Sequence, residues 1–234
     1  MSRKTLVDTV ADQLLEQIID GRYAVGDALP AEAEIAGEAG VSRLTVREAL
    51  KALRAQNVVR VTRGRGTYVN PPESWTSLEA MVKASDKSQG KGATSTQLLE
   101  VRRMIETGAA ALAASRMTER DLAGLGRHLR NMEEAAARNE VDAFVAADIA
   151  FHDVILRASG NILLPALYEP LGRLLSAARR ETSAVPDIQQ HAIRMHREVM
   201  EALATGDPEL SRAAMDRHMD QTSDDLREYV LNQQ

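Results

Sequence analysis

The 40 residues from Pro30 to Val69, PAEAEIAGEAGVSRLTVREALKALRAQNVVRVTRGRGTYV, restrict the fold more than any other part of the chain. They read as a short helix, a tight turn, a longer helix and a β-hairpin. Pro30 suits the first turn of a helix, where its missing N–H has no partner to lose. Ile35 and Ala36 give that helix an apolar side, and Gly40 breaks it. Ser42 is a good N-cap for the next helix, which is expected to reach about Ala55 with Val46, Leu50 and Leu53 inward. β-branched residues on either side of Arg63-Gly64-Arg65-Gly66 make a hairpin. Upstream, Leu6, Val10, Leu14 and Ile18 recur every fourth residue, one apolar helix stripe. Helix, helix, turn, helix and hairpin is the layout of a winged helix-turn-helix.

That layout implies contact with double-stranded DNA. The chain's formal net charge of −5 argues the other way until its distribution is read. Between residues 41 and 70 stand seven basic residues and one acid, Glu48, a local charge of +6. A basic patch on an acidic protein is the footprint that phosphate contact needs; its bland alternative is a solvated helix face. The N-terminal end of a recognition helix reaches base edges in the major groove. Here it carries Ser42, Arg43, Thr45 and Arg47. Arg can hold guanine bidentately, and Ser or Thr suits phosphate or base. Arg63 and Arg65 at the hairpin tip are expected over phosphates or the minor groove, with Gly64 letting the backbone come close.

Beyond the hairpin, Asn70-Pro71-Pro72 ends the strand, and a short amphipathic piece holds Trp75, Leu78 and Met81. Trp75 is expected to pack this linker onto one domain. Ser85 to Gly92 is polar and Gly-containing and reads as an exposed loop. From Thr96 onward the apolar spacing is helical throughout, with turns at Ser159-Gly160-Asn161, Val185-Pro186-Asp187 and Gly206-Asp207-Pro208. The expected fold is mainly α: a winged helix-turn-helix over 1–70, a linker with a short helix over 71–95, and an all-α bundle of about six helices over 96–234. Aromatics at 3% and abundant Ala and Leu agree with helix over sheet. The chain has no Cys, which removes disulfides and thiolate metal sites and suits a reducing cytoplasm. The acids Asp8, Asp12 and Glu16 inside the first apolar stripe do not fit a secretory signal. No apolar run approaches the ~18 residues that span a bilayer, so no membrane partner is expected.

Histidines carry the chemistry of the second half. Asp148 and His152 are four apart on one helix and share a face. His196 and His218 lie on later helices, and bundles build metal sites from side chains on facing helices. Three imidazoles and a carboxylate suit Zn(II), Mn(II), Fe(II) or Ni(II) and leave positions free. Spacing alone leaves open that each is a surface or satisfied histidine. His128 and His191 fall outside the pattern and read as ordinary surface residues.

Two resemblances sharpen these readings. LPAEAEIA, GVSRLTVREALKALRAQNVV and GRGTYV resemble the DNA-binding domain of the GntR superfamily of bacterial regulators, over about residues 5–70. The resemblance implies DNA contacts from Ser42, Arg43, Thr45, Arg47, Arg63 and Gly64. Many members carry Arg in the second helix where Ala33 stands here, so that contact does not carry over. LLEVRRMIETGAAALAA, DIAFH, ASGN, HREVMEAL and AAMDRHM are similar to FCD, the ligand-binding domain of the FadR-like branch, over about 96–230. It implies a divalent ion, zinc first, held by Asp148, His152, His196 and His218. Glu100 to Glu106 matches the family's Glu-x-Arg-x-x-x-Glu, and Arg102 there would clamp a ligand carboxylate; the bland alternative is an ion pair with Glu106 or Asp148. Asn161 matches the Ser-Gly-Asn at the pocket and is expected to bond a ligand hydroxyl, or else to cap a helix. The implied protein is a homodimeric repressor on an inverted-repeat operator, released by a small organic acid, with sugar acids suggested by the linker around Trp75. Three rivals remain at this point: a regulator whose effector is the metal itself, a metalloenzyme fused to a DNA-binding domain, and a histidine site that is empty and structural.

Overall fold

The computed structural model describes residues 4–231, which divide into two compact units, the first ending at Thr94 and the second beginning at Ser95. The first unit opens with α1 (Leu6–Ile19), whose start is fixed by a capping box between Thr5 and Asp8. Helices α2 (Glu32–Ala39) and α3 (Arg43–Ala55) follow. The turn between them depends on Gly40, whose φ of 64° is left-handed and costs a glycine little. Ser42 caps α3 through the N–H of Thr45. Val46, Ala49 and Leu53 of α3 are buried against Val10, Leu14 and Ile18 of α1, while Leu50 is only partly covered.

β1 (Val59–Thr62) and β2 (Gly66–Val69) pair antiparallel, Thr62 opposite Gly66 and Val59 opposite Val69. Gly64 has φ 75° at the third position of the turn closed by Arg65 N–H to the Thr62 carbonyl, where a positive φ is required. The segment before α2 adds a short edge to β2: Leu29 N–H bonds to Thr67 O and Val69 N–H to Asp27 O. A 3₁₀ turn (Pro72–Ser74) leads to Trp75, which is buried in this unit's core with its indole N–H on Asn70 O at 3.0 Å. The linker therefore packs on the first unit, and α4 (Leu78–Gln89) continues it through Ala80 and Ala84. The loop expected from Ser85 to Gly92 is instead helical to Gln89 and again from Lys91, with Gly90 alone breaking the run. Polar residues marked an exposed helix face there, and Lys87 pairs with Asp20 across it.

The second unit is helical: α5 (Lys91–Ala114), α6 (Glu119–Ala137), α7 (Val141–Ala158), α8 (Leu163–Thr182), α9 (Pro186–Ala204) and α10 (Pro208–Leu226), followed by a π-helical turn (Arg227–Leu231). Helix α6 packs on α7 and α9, α7 on α8, and α9 on α10. Small residues of α5 (Ala109, Ala110, Ala113) let Phe151, Leu171, Val199 and Met215 close over it in one core. Pro186 and Pro208 open α9 and α10 at positions where a missing N–H is tolerated. No helix among the described residues is long and apolar enough to cross a membrane.

Candidate functional site

The first unit presents a cationic surface built from α3 and the β1–β2 turn. Arg43 leads the exposed N-terminal turn of α3, with Leu44 beside it, 65% exposed. Arg63, Gly64 and Arg65 are exposed at the hairpin tip. Arg43, Arg63 and Arg65 form no ion pair among the described residues, so their charge is open to phosphate. The other residues expected on this surface are already engaged. Ser42 Oγ accepts from Thr45 N–H at 3.1 Å and lies 2.9 Å from Thr45 Oγ1, so both hydroxyls serve the helix start. Arg47 is forked onto Glu32 of α2, with Nη2 at 3.0 Å and Nε at 3.2 Å from Oε2. That exposed pair contributes little stability. Arg60, counted in the basic patch, is tied to the wing base through Asn70 Oδ1 at 2.8 Å.

In the second unit three imidazoles from three helices meet in the interior. His152 of α7, His196 of α9 and His218 of α10 have ring centroids 4.5 to 5.3 Å apart, and a nitrogen from each lies within 4.8 Å of the others. All three are buried. His196 Nδ1 meets the Ala192 carbonyl at 2.7 Å, which fixes the tautomer and points the Nε2 lone pair at the cluster. The remaining nitrogens, both of His152, both of His218 and Nε2 of His196, are buried without a directed hydrogen bond. Buried polar atoms are nearly always satisfied, so several orphans facing one another are a donor set for a cation. Burial keeps His196 below its ordinary pKa despite Asp148, and keeps His218 well below it, with His196 and His152 adding to the effect. Neutral imidazole is the form that binds metal.

Asp148 stands beside this cluster, one turn before His152. Its Oδ1 lies 3.0 Å from His196 Nε2 and 3.7 Å from His152 Nε2, while Oδ2 bonds to Arg179 Nη1 of α8. One oxygen thus faces the imidazoles and the other is held by a guanidinium. Burial favours the protonated acid here, but Arg179 and the histidines outweigh it and hold Asp148 well below the carboxylate range.

Arg102 is buried as expected, but it is paired within the fold. Its Nε is 2.7 Å from Glu106 Oε1 and its Nη2 3.3 Å from Oε2. The i,i+4 spacing on α5 brings the two together, which is the internal pairing the sequence left open beside the ligand clamp. Glu106 also accepts from Tyr168 O–H and lies 2.8 Å from His152 Nδ1, off the line of a hydrogen bond. Burial would raise the Glu106 pKa, yet Arg102 and His152 keep it well below its ordinary value. Tyr168 is pushed up to about 12 by burial and by Glu106, so it remains a donor. Asn161 takes the capping side of its two expected roles. It is exposed, its Oδ1 accepts from Leu163 N–H at 3.0 Å at the start of α8, and it does not line the cavity described next. Capping its own helix is the commoner role for Asn at that place.

A cavity of about 80 Å³ opens onto the cluster, several times the ~10–15 Å³ that one water needs. Its wall includes Asp148, His218, Arg102 and Arg179, with His152 and His196 behind it, and aliphatic side chains such as Leu98 and Leu175. Arg179 was missed in the sequence because Arg179-Arg180 reads as a basic last turn, the usual complement to a helix C-terminus. Only its i+4 relation to buried Leu175 signals that it turns inward. Its Nε is buried without a hydrogen-bond partner.

Comparison with known proteins agrees with this arrangement. Residues 97–221 match the family described as FCD domain, and residues 6–69 match that described as bacterial regulatory proteins, gntR family. The HTH-type transcriptional regulator LutR of Bacillus subtilis is 33% identical over 222 residues, covering 91% of this chain and 97% of LutR. The galactonate operon transcriptional repressor of Escherichia coli is 31% identical over 176 residues, 75% of this chain and 76% of that protein. The solved structure of Streptococcus agalactiae GntR is 27% identical, with a TM-score of 0.53 over 93% of this chain and 99% of that one. With an exposed cationic recognition surface in one unit and a ligand cavity in the other, the chain belongs to the GntR family of bacterial regulators in the group that carries an FCD domain, and it is a ligand-responsive DNA-binding transcription regulator, not an enzyme.

Proposed function

We propose that this regulator is a homodimeric repressor whose DNA binding is released by a small organic acid, held in the α-helical cavity beside a divalent ion. The observation that carries this reading is the convergence of buried nitrogens of His152, His196 and His218, within 4.8 Å of one another, beside a cavity that Arg179 also lines. The three imidazoles and Asp148 Oδ1 would hold the ion, zinc before manganese, nickel or iron, and nitrogen-rich sites with one oxygen suit these metals. The bound ion supplies positive charge and open coordination positions for an oxygen ligand.

Charge balance explains why an acid fits. Arg102 and Arg179 are matched by Glu106 and Asp148, and the Asp225 carboxylate adds one more negative charge to the same cavity wall. A divalent cation then leaves an uncompensated charge in a low-dielectric site, and an anionic ligand offsets it. Arg179 Nε is positioned to donate to that anion, while Arg102 keeps Glu106 ionised behind His152. Similarity to the galactonate operon repressor of Escherichia coli supports a sugar acid or related hydroxy acid as the class. On the DNA side, Arg43 would read bases from the start of α3, Arg47 beside it, and Arg63 and Arg65 would meet the backbone from the wing. Two such modules related by a two-fold axis would read an inverted repeat.

A thermal-shift screen of organic acids tests this reading, run on metal-stripped and metal-loaded protein. A ligand at 100 times its Kd stabilises the folded state by about 2.7 kcal/mol. The expected result is an upward shift for hydroxy acids that needs the metal and disappears in His196→Ala. No shift with any acid, or equal shifts with and without metal, would count against the site as drawn.

A further inference from the structure

The cavity has a second polar end, formed by α10 beyond the metal-facing wall. His218, Gln221, Thr222 and Asp225 follow one another at helical spacing and all line the cavity. Asp225 is buried, 4% exposed. Its Oδ1 takes Gln221 Nε2 at 2.9 Å and meets His191 Nδ1 of α9 at 2.8 Å. His191 is thus no ordinary surface residue: it is half-buried and fixes a buried carboxylate. Both bonds fall on Oδ1, so Oδ2 carries neither, and Asp225 lines the cavity.

We infer that Asp225, held by His191 and Gln221, is a specificity-determining residue that accepts a hydroxyl from the far end of the effector and turns away a second carboxylate. The inference rests on the proposed acid site at the histidines and adds the length and the tail chemistry of the ligand. From His218 to Asp225 is roughly 10 Å along the helix, seven residues at ~1.5 Å each. An acid anchored at the histidine end must be about five or six carbons long to reach Asp225 across those ~10 Å. A short hydroxy acid such as lactate cannot touch both ends. A fixed carboxylate acceptor favours a tail that donates O–H, and a like charge beside it in a buried wall is disfavoured. The structure therefore selects a long polyhydroxy monocarboxylate, an aldonate, over the aldarate with the same carbon chain.

Isothermal titration of metal-loaded protein with galactonate, its terminal-deoxy analogue, galactarate and lactate tests this directly, alongside Asp225→Asn. Wild type is expected to bind galactonate at least ~10-fold more tightly than the deoxy analogue and than galactarate, the effect of one lost charged hydrogen bond or one opposed charge. Asp225→Asn is expected to shrink the galactonate-to-galactarate ratio about 10-fold. The wild-type comparison stands by itself should the variant not fold. Equal wild-type affinities for galactonate and galactarate, or an unchanged ratio in Asp225→Asn, would overturn the role of Asp225 while leaving the acid site intact. Failure of all four acids to bind would overturn the acid site and the inference together.

Discussion

At the scale of single residues, the second unit is governed by charges that have left water in pairs. Arg102 and Glu106 are 3% and 1% exposed and are matched to each other. A buried pair contributes little net stability when intact, but removing one partner strands the other at a cost of about 3–5 kcal/mol. Glu106→Gln is therefore expected to destabilise the chain by about 3–5 kcal/mol in urea unfolding. A loss below about 1 kcal/mol, the value of an exposed pair, would show that Arg102 finds another anion. The histidines give a pH signature in metal-free protein. His196 and His218 resist protonation in the folded state, whereas the same groups in the unfolded chain gain protons below the ordinary value of 6.5. The unfolded state then binds more protons, so stability must fall as pH drops below 6.5. Asp148 and Glu106 lie well below their ordinary values of 3.8 and 4.5, so the stability they contribute is present above those values and is lost beneath them. Acidification of the metal-free protein should show two successive losses in unfolding free energy. A flat response from pH 7 to pH 5 would contradict buried neutral imidazoles.

At the scale of elements, the proposed DNA contacts fall on α3 and the hairpin. Arg43→Ala should relax base preference and cost about 1–3 kcal/mol per lost bidentate contact. Arg65→Ala should weaken binding to all sequences alike and lower the salt slope by about 1; fluorescence anisotropy across a salt series reads both. An unchanged salt slope for Arg65→Ala would remove the wing from the phosphates. These elements were legible in the sequence because each carries local signals: Ser42 as a cap, Gly40 and Gly64 as turn residues, and alternating apolar spacing. The segment from Ser85 to Gln89 was misread because polar residues signal exposure equally in loops and on helix faces. The histidine cluster was legible through Asp148 and His152 at i,i+4, with the later histidines paired to them by family likeness. Arg179, Tyr168 and Asp225 were not, since their roles depend on which helices meet in three dimensions. The pairing of Arg102 with Glu106 was readable as one of two options, and spacing could not choose between an internal and a ligand anion.

For the whole molecule, regulation requires that occupancy of the helical cavity change the affinity of the winged unit for DNA. Such coupling is a free energy shared by both sites, so DNA must weaken the acid by the same factor by which the acid weakens DNA. The central claim is tested most directly by the Kd for a DNA site that the protein itself selects from a random pool, measured with and without galactonate. Metal-loaded wild type, metal-stripped wild type and metal-loaded His196→Ala should be compared side by side. The expected result is a rise in Kd of about 5–150-fold on adding the acid to metal-loaded wild type, with little change in the other two. DNA affinity indifferent to every acid in the metal-loaded protein, or full release on adding metal alone, would contradict a repressor switched by an organic acid at this site.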